Sequence, residues 1–378
     1  MIVVAEPTYR DAEHAAVNGS ILRAITLACG AAAFAATPAH QAFVAEAFRT
    51  ETLEDALPDI TAEPIEVMVP GGIHLRRMRA QWQALSGLVR RHRPRTMVLL
   101  SAGPETLFVA RLLVTRHRAL RLFVVMHGNL GRATGWRSRD PRHRLIDIRS
   151  GLAISRHPRI RLVVLETHIP AAAVAAGLGH DLLVWPLPSN QQEQPPPAPW
   201  SPPGRLRLTF VGTANRQKGF GQIVALQHDA GTDYDWAVAG TLSKEFTAAD
   251  AAGFDVPPGR LSRPDFLAAV RRADYAILSF GPEYAFTASG SLMDCITQRK
   301  PLIAVTNTLL AQLQAQYGPF GHLCADPASM AALLREPDRL RDLVAYAAFQ
   351  RTLDAIHNDR LPGCLATTVR NDLRLLSV

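Results

Sequence analysis

Short, almost wholly apolar runs alternate along this chain with segments of helical periodicity, and one proline-rich stretch breaks the alternation. The apolar runs of the first half are MIVVAEP, AAAFAAT, IEVMVP, TMVLLSA, RLFVVMHG, RLVVLET and DLLVWPLP. Helical patterns such as GSILRAITLAC, AQWQALSGLVRR and PETLFVARLLVTRH lie between them. Strands that are apolar on both faces belong in a parallel sheet covered by helices on both sides. The pattern stops at WPLPSNQQEQPPPAPWSPPGR, where prolines disfavour helix interiors and central strands and the Gln/Asn cluster cannot build a core. It then restarts with RLTFVG, DWAVAG, YAILSF, PLIAVTN and HLCAD. The expected fold is α/β, with two doubly wound Rossmann-like domains and ligands at the carboxyl ends of the strands, facing an interdomain cleft. The expected boundaries are a first domain at 1–186, a linker at 187–204, a second domain at 205–355 and a helical segment at 356–378 that packs back on the first domain.

Composition narrows the class. A chain of 378 residues suits two domains, and a hydrophobic fraction of 48% supplies two cores. No apolar run reaches the roughly 20 residues of a spanning helix, and the opening MIVVAEPTYRDAEH lacks the basic lead of a secretory signal. The four cysteines show neither CxxC nor metal-ligand spacing, which fits reduced thiols. The expected location is therefore the cytoplasm. The net charge of +8 is uneven: residues 1–190 hold 23 arginines against 15 acids, and the remainder holds 18 basic against 18 acidic residues. Residues 74–95 and 132–161 carry most of the excess, with Trp82 near the first cluster. Basic residues beside tryptophan suit an anionic membrane surface, so a peripheral place on the cytoplasmic face of the inner membrane is a further expectation. Nucleic acid is not an expected partner, because no RNP, KH or zinc module is present.

The turns after the strands are where chemistry is expected. In RLTFVGTANRQKGF a strand runs into a helix through Gly212, Thr213, Arg216 and Lys218. A strand-to-helix turn presents free N–H groups and the positive end of a helix dipole, and two cations make it a cradle suited to a diphosphate. In SFGPEYAFTASGSLMDCITQRKPLIAV, the residues Ser289, Gly290 and Ser291 open a helix, where they can hydrogen-bond a phosphate or simply cap the helix. Asp294 follows in its first turn, and Tyr284 precedes it.

These two blocks resemble the C-terminal domain of the GT-B glycosyltransferases, two-Rossmann-domain enzymes that use nucleotide sugars. The second block resembles the segment in which retaining enzymes of the family-four type carry E-x7-E, a helix and GKPVIA. RKPLIA matches GKPVIA, Asp294 falls on the second glutamate, and Phe286 falls on the first, with Glu283 three residues too early. That departure marks a divergent relative. The resemblance implies that Arg216 and Lys218 hold the donor diphosphate, with Gly212, Thr213, Tyr284 and Ser289 to Ser291 around the donor and Asp294 on its ribose. The first half then supplies the acceptor side. His14 is the candidate base, because an imidazole titrates near neutrality, with Asn18 one helical turn on. His127 resembles the histidine that retaining members aim at the reacting centre, and Gly128 allows close approach of the sugar. The implied function is metal-independent transfer of a sugar from a UDP- or GDP-type donor to a glycan or lipid-linked acceptor, as in bacterial polysaccharide or glycolipid assembly, with no resident cofactor. A nucleotide-sugar 2-epimerase on the same fold and a non-catalytic scaffold are the alternatives. Asp233-Tyr234-Asp235 is a literal DxD, but one such match is expected by chance among 20 aspartates, and it precedes its strand.

Overall fold

The computed structural model describes residues 2–52, 59–67, 74–134, 146–189, 200, 204–230 and 233–375. Most of the proline-rich stretch and part of the 132–161 basic cluster lie outside these residues. The chain divides into two compact units. The first comprises Met1–Asn190, Phe286–Ala288 and Arg360–Val378; the second comprises Gln191–Ala285 and Ser289–Asp359.

The first unit holds a seven-stranded parallel sheet. Its strands are β1 (Ile2–Ala5), β2 (Ala32–Ala36), β3 (Ile60–Pro64), β4 (Thr96–Leu99), β5 (Arg121–Val125), β6 (Ile160–Val164) and β7 (Leu182–Val184), in spatial order β3-β2-β1-β4-β5-β6-β7. The central strands are rich in β-branched and leucine side chains and are buried on both faces, as helices on each side of the sheet require. The second unit repeats the plan with β8 (Leu206–Val211), β9 (Tyr234–Ala239), β10 (Phe254–Asp255), β11 (Tyr275–Leu278), β12 (Leu302–Val305) and β13 (Gly321–Cys324), in order β10-β9-β8-β11-β12-β13. Its core is more aromatic, with Phe210, Phe220, Tyr234 and Tyr275 fully buried. Side-chain caps set several helix starts: Asp147, Ser262, Asn307 and Asp326 each accept a backbone N–H in the first turn that follows.

In each sheet the first strand pairs on both sides. Val4 lies opposite Phe34 of β2 and Val98 of β4, and Phe210 lies opposite Val238 of β9 and Ile277 of β11. The winding therefore reverses between β1 and β4 and between β8 and β11. A crevice beyond the carboxyl ends of the strands at such a reversal is where ligands bind in this class of sheet.

The last helix, Pro362–Leu375, packs on helix Ala15–Cys29 within the first unit, where Arg370 donates to the Leu27 and Ala28 carbonyls at 3.0 Å each. Just before it, Arg360 makes a two-pronged ion pair with Glu166 at 3.0 and 2.8 Å, with both side chains buried. Trp185 is fully buried, stacks on Phe123 and donates to Asp372 at 2.7 Å.

Two sequence expectations shift. The strand expected at IEVMVP is Ile60–Pro64 instead. Ile65 and Val67 are buried beyond its end, so their burial imitates a strand; residues 68–70 lie outside the described residues. The two-residue edge strand β10 has no apolar run to announce it.

Candidate active site

The reversal in the first sheet is built on a buried carboxylate. Glu6 is the first residue beyond β1, Ser101 follows β4 closely, and both are buried. Glu6 Oε1 accepts from the Thr8 and Tyr9 backbone N–H groups at 2.8 and 3.0 Å and from the Ser101 hydroxyl. Glu6 Oε2 accepts from Asn18 Nδ2 at 2.9 Å. Burial pushes the Glu6 carboxyl up from its ordinary range, opposed by the Ser101, Tyr9 and Thr8 donors. Asn18 Nδ2 also faces His40 Nε2 at 3.0 Å, and His40 Nδ1 lies 2.5 Å from the Asp11 carbonyl. A carbonyl can only accept, so Nδ1 carries the proton and Nε2 accepts from Asn18. The amide nitrogen of Asn18 thus spends both hydrogens, which fixes its orientation.

His14 stands in front of this network. It precedes helix Ala15–Cys29 with φ 58 and ψ 9, a left-handed conformation uncommon for a side-chain-bearing residue. Its ring makes no capping bond and instead lies 4.5 Å from the His127 ring and 4.5 Å from the Tyr9 ring, centroid to centroid. Strain of this kind collects at functional sites. Burial, with help from His40, pushes the His14 imidazole down to about 4, and burial holds His127 well below its ordinary value, so both rings are neutral at pH 7. His127 Nε2 is buried with no hydrogen-bond partner. Gly128 follows it, with the Thr287 side chain alongside. The structure thus brings His14 to His127, and it directs the fully buried Asn18 to Glu6 and His40. A neighbouring cluster joins Glu105, in the first turn of helix Pro104–Arg116, to His74 at 2.5 Å and to Arg77 at 2.6 Å.

The reversal in the second sheet is assembled differently. Asn215 Oδ1 accepts from the Lys218 N–H at 2.8 Å and closes the turn after β8. Lys218 then reaches to the start of helix Gly290–Thr297, where Nζ donates to the Ser291 hydroxyl at 2.6 Å. Gly212 has φ 95, and a Cβ there would collide with both the Ser291 hydroxyl and Lys218 Nζ, so only glycine fits. Gly219 lies against the Ser279 carbonyl beyond β11 and draws the two loops together. Burial pushes the Lys218 ammonium down to about 8, partly offset by Asp294. Asp294 is itself paired with Arg263 at 2.7 Å. Ser289 caps the helix by accepting from the Leu292 N–H at 3.1 Å. Thr213, Arg216 and Gly290 are exposed, and Tyr284 is buried and stacked on Phe280 at 4.2 Å. Gly212, Lys218, Ser291 and Asp294 therefore converge, while Arg216 extends from the turn that holds Lys218.

Comparison with known proteins gives a fold. The chain resembles the structure of Anabaena Alr3699/HepE in complex with UDP-glucose, with TM-score 0.65, 11% identity, and 100% of this chain and 99% of that chain covered. It also resembles CalG4, the calicheamicin glycosyltransferase, with TM-score 0.53, 12% identity, and 100% and 99% of the two chains covered. The chain has the GT-B fold. A putative UDP-N-acetylglucosamine 2-epimerase from Listeria monocytogenes shares this GT-B likeness, with TM-score 0.57, 14% identity, and 97% and 94% of the two chains covered. No protein-family model and no curated protein sequence matches the chain. Among the described residues, no helix of this GT-B chain is long and apolar enough to cross a membrane.

Sequence reasoning missed Glu6, His40 and Ser101. The available signal was a charged residue set directly after the apolar run MIVVA, at a strand's carboxyl end.

Proposed function

We propose that this chain is a glycosyltransferase that moves a sugar from a nucleoside-diphosphate sugar to an acceptor hydroxyl. One observation carries the reading: Lys218 is held by Ser291 at a helix N-terminus, beneath a glycine that leaves the backbone open, at the strand reversal of the second sheet. A half-buried ammonium beside free helical N–H groups is an electrostatic trap for a diphosphate, and it stabilises the same group more strongly as it departs. Arg216 adds a second cation. Asp294, paired with Arg263 at 2.7 Å, is the candidate partner of the ribose, and Tyr284 supports the turn. The full-length likeness to a structure holding UDP-glucose agrees with this donor class.

In the first unit, neutral His14 is the group that accepts the proton of the attacking hydroxyl. His127 and Gly128 line the reacting centre. Asn18, Glu6 and His40 act through position, by holding the loop and helix start that carry His14. The epimerase alternative calls for additional carboxylates near the reacting sugar, and of the two candidates, Glu283 and Asp294, Asp294 is already paired with Arg263 at 2.7 Å.

Calorimetric titration of UDP, GDP and ADP into the wild type and into Lys218→Ala tests the reading. Selective binding by the wild type that is lost in the variant is the expected result; no binding of any of the three would leave the turn a capped surface loop. The arginine excess of residues 1–190 supports a second element, association with anionic lipid. Co-sedimentation with phosphatidylserine vesicles should occur at low salt and fade as salt rises. Failure to sediment at low salt would remove that element.

A further inference from the structure

Lys218 and Asp294 lie within electrostatic reach of each other at the second reversal, yet they take different partners. Lys218 donates to the Ser291 hydroxyl at 2.6 Å, and the Asp294 carboxylate accepts from Arg263 at 2.7 Å. Arg263 is the first residue of helix Arg263–Arg272, where the positive end of the helix dipole disfavours a cation. The other two arginines of that helix, Arg271 and Arg272, lie in its last turn, where the dipole favours them. The Arg263 guanidinium also lies 5.3 Å from the centroid of the Phe266 ring, three residues on. The Arg263 and Asp294 side chains are only 21% and 15% exposed, so water and salt screen their attraction less than they screen a surface pair. The position of Arg263 is thus unfavourable for its own helix and favourable for the Asp294 carboxylate.

That carboxylate needs an opposing charge. Without one, Asp294 would act with its full charge on Lys218, offset the ammonium and compete with an incoming anion. With Arg263 in place, one arginine offsets one aspartate, and the charges of Lys218 and Arg216 remain for a ligand. We propose that Arg263 is a positioning residue of the anion cradle: it engages Asp294 and so reserves the Lys218 ammonium for a diphosphate. The other titratable groups nearby do not take over this task. Burial pushes the Cys295 thiol up, so it is neutral. Glu245 accepts the Arg216 N–H at 2.9 Å, and the Glu283 carboxylate stands against Gly281. None of these three is a cation. That the anion is a diphosphate rests on the function proposed above; the control of Lys218 by Arg263 does not.

The test reads Lys218 directly. The chain has three lysines, Lys218, Lys244 and Lys300, so the Cε signals of carbon-13 lysine-labelled protein are few enough to resolve by nuclear magnetic resonance. The Lys218 signal is assigned by its loss in Lys218→Ala and titrated in the unliganded full chain. In Arg263→Met the Lys218 midpoint should rise by about one pH unit or more, and UDP affinity at pH 7 should fall about tenfold. Arg263→Lys, which keeps the charge, should return both towards the wild-type values. Arg271 donates to Gln298 at 3.1 Å and ties the same two helices together, so Arg271→Met is the control for packing and should leave the midpoint where it is. An unmoved midpoint in Arg263→Met would overturn the proposal, as would an equal rise in Arg271→Met or undiminished UDP affinity in Arg263→Met. If Arg263→Met does not fold, Asp294→Asn decides: the midpoint should fall, because Asp294 no longer offsets the Arg263 charge, and an unchanged midpoint would overturn the proposal. A wild type that binds no UDP while Lys218 responds as described would remove the donor reading and leave Arg263 in control of Lys218.

Discussion

The two strand reversals share one topology and have opposite electrostatics. In the first unit, the groups beyond β1 and β4 are neutral or bound to each other: Glu6 is filled by backbone, serine and amide donors, Asn18 spends both amide hydrogens, and His14 and His127 are uncharged. In the second, the loops beyond β8 and β11 enclose an ammonium at a helix N-terminus. On the proposed reading, the same winding carries the proton acceptor in one place and the diphosphate-binding cation in the other. Topology decides where a site lies, and the side chains beyond the strand ends decide what it does.

The contrast can be broken from either side. The largest effect is expected at His14. His14→Gln should lower transfer by about 10²–10⁴-fold, the usual contribution of a general base, while UDP affinity stays within about twofold. A parallel loss of nucleotide affinity would mean that His14 belongs to the donor site and that the two reversals do not divide the work.

Glu6→Ala should come next. It strands the Thr8, Tyr9, Ser101 and Asn18 donors in a buried site and should cost about 2–4 kcal/mol of stability, read as a lowered denaturant midpoint. An unchanged midpoint would show that the network is not a structural lock. Lys218→Ala should weaken nucleoside-diphosphate binding by about 1.5–3 kcal/mol, the range of a charge-assisted hydrogen bond, without shifting that midpoint much.

The smallest effect sharpens the contrast through pH. Burial places the Lys218 ammonium at about 8, so the cation proposed to hold a diphosphate is present below that pH and is lost as pH rises through it. Nucleotide affinity should fall up to about tenfold per pH unit above pH 8, accompanied by proton uptake on binding in buffers of different ionisation enthalpy. In the unliganded protein the sign is opposite. A lysine whose folded-state value is depressed destabilises the fold while charged, so its contribution to stability should improve between pH 8 and its unfolded value near 10.5. A flat affinity profile from pH 7 to 9 would place the binding charge elsewhere, with Arg216 the next candidate.

The fold was largely legible because burying a parallel strand on both faces writes a continuous apolar run into the sequence, as in TMVLLSA and RLFVVMHG. IEVMVP was misleading for the same reason: burial of Ile65 and Val67 continues past the end of β3, and composition cannot tell a buried strand from buried irregular chain. The second site was legible in outline, because a turn, two cations and a helix start lie within one short stretch, and a second helix start follows its own strand. The first site was only partly legible. Its candidate histidines stood near strand ends, but nothing in the sequence joins Glu6 to Ser101 across 95 positions, or Asn18 to His40 across 22.

By itself, then, the sequence determined the α/β class, the twofold repetition of the winding and the basic character of the first half, because these follow from local periodicity and from counting. Only the tertiary structure decided that His14 turns away from its helix to meet His127. It also decided that Lys218 folds back onto Ser291, and that Asp235 of the DxD triplet pairs with Arg205 at the amino end of its strand. The physical reason is common to all three: a hydrogen bond or ring contact between residues far apart in sequence is set by which strand ends the sheet brings side by side, and strand order is a property of the assembled sheet.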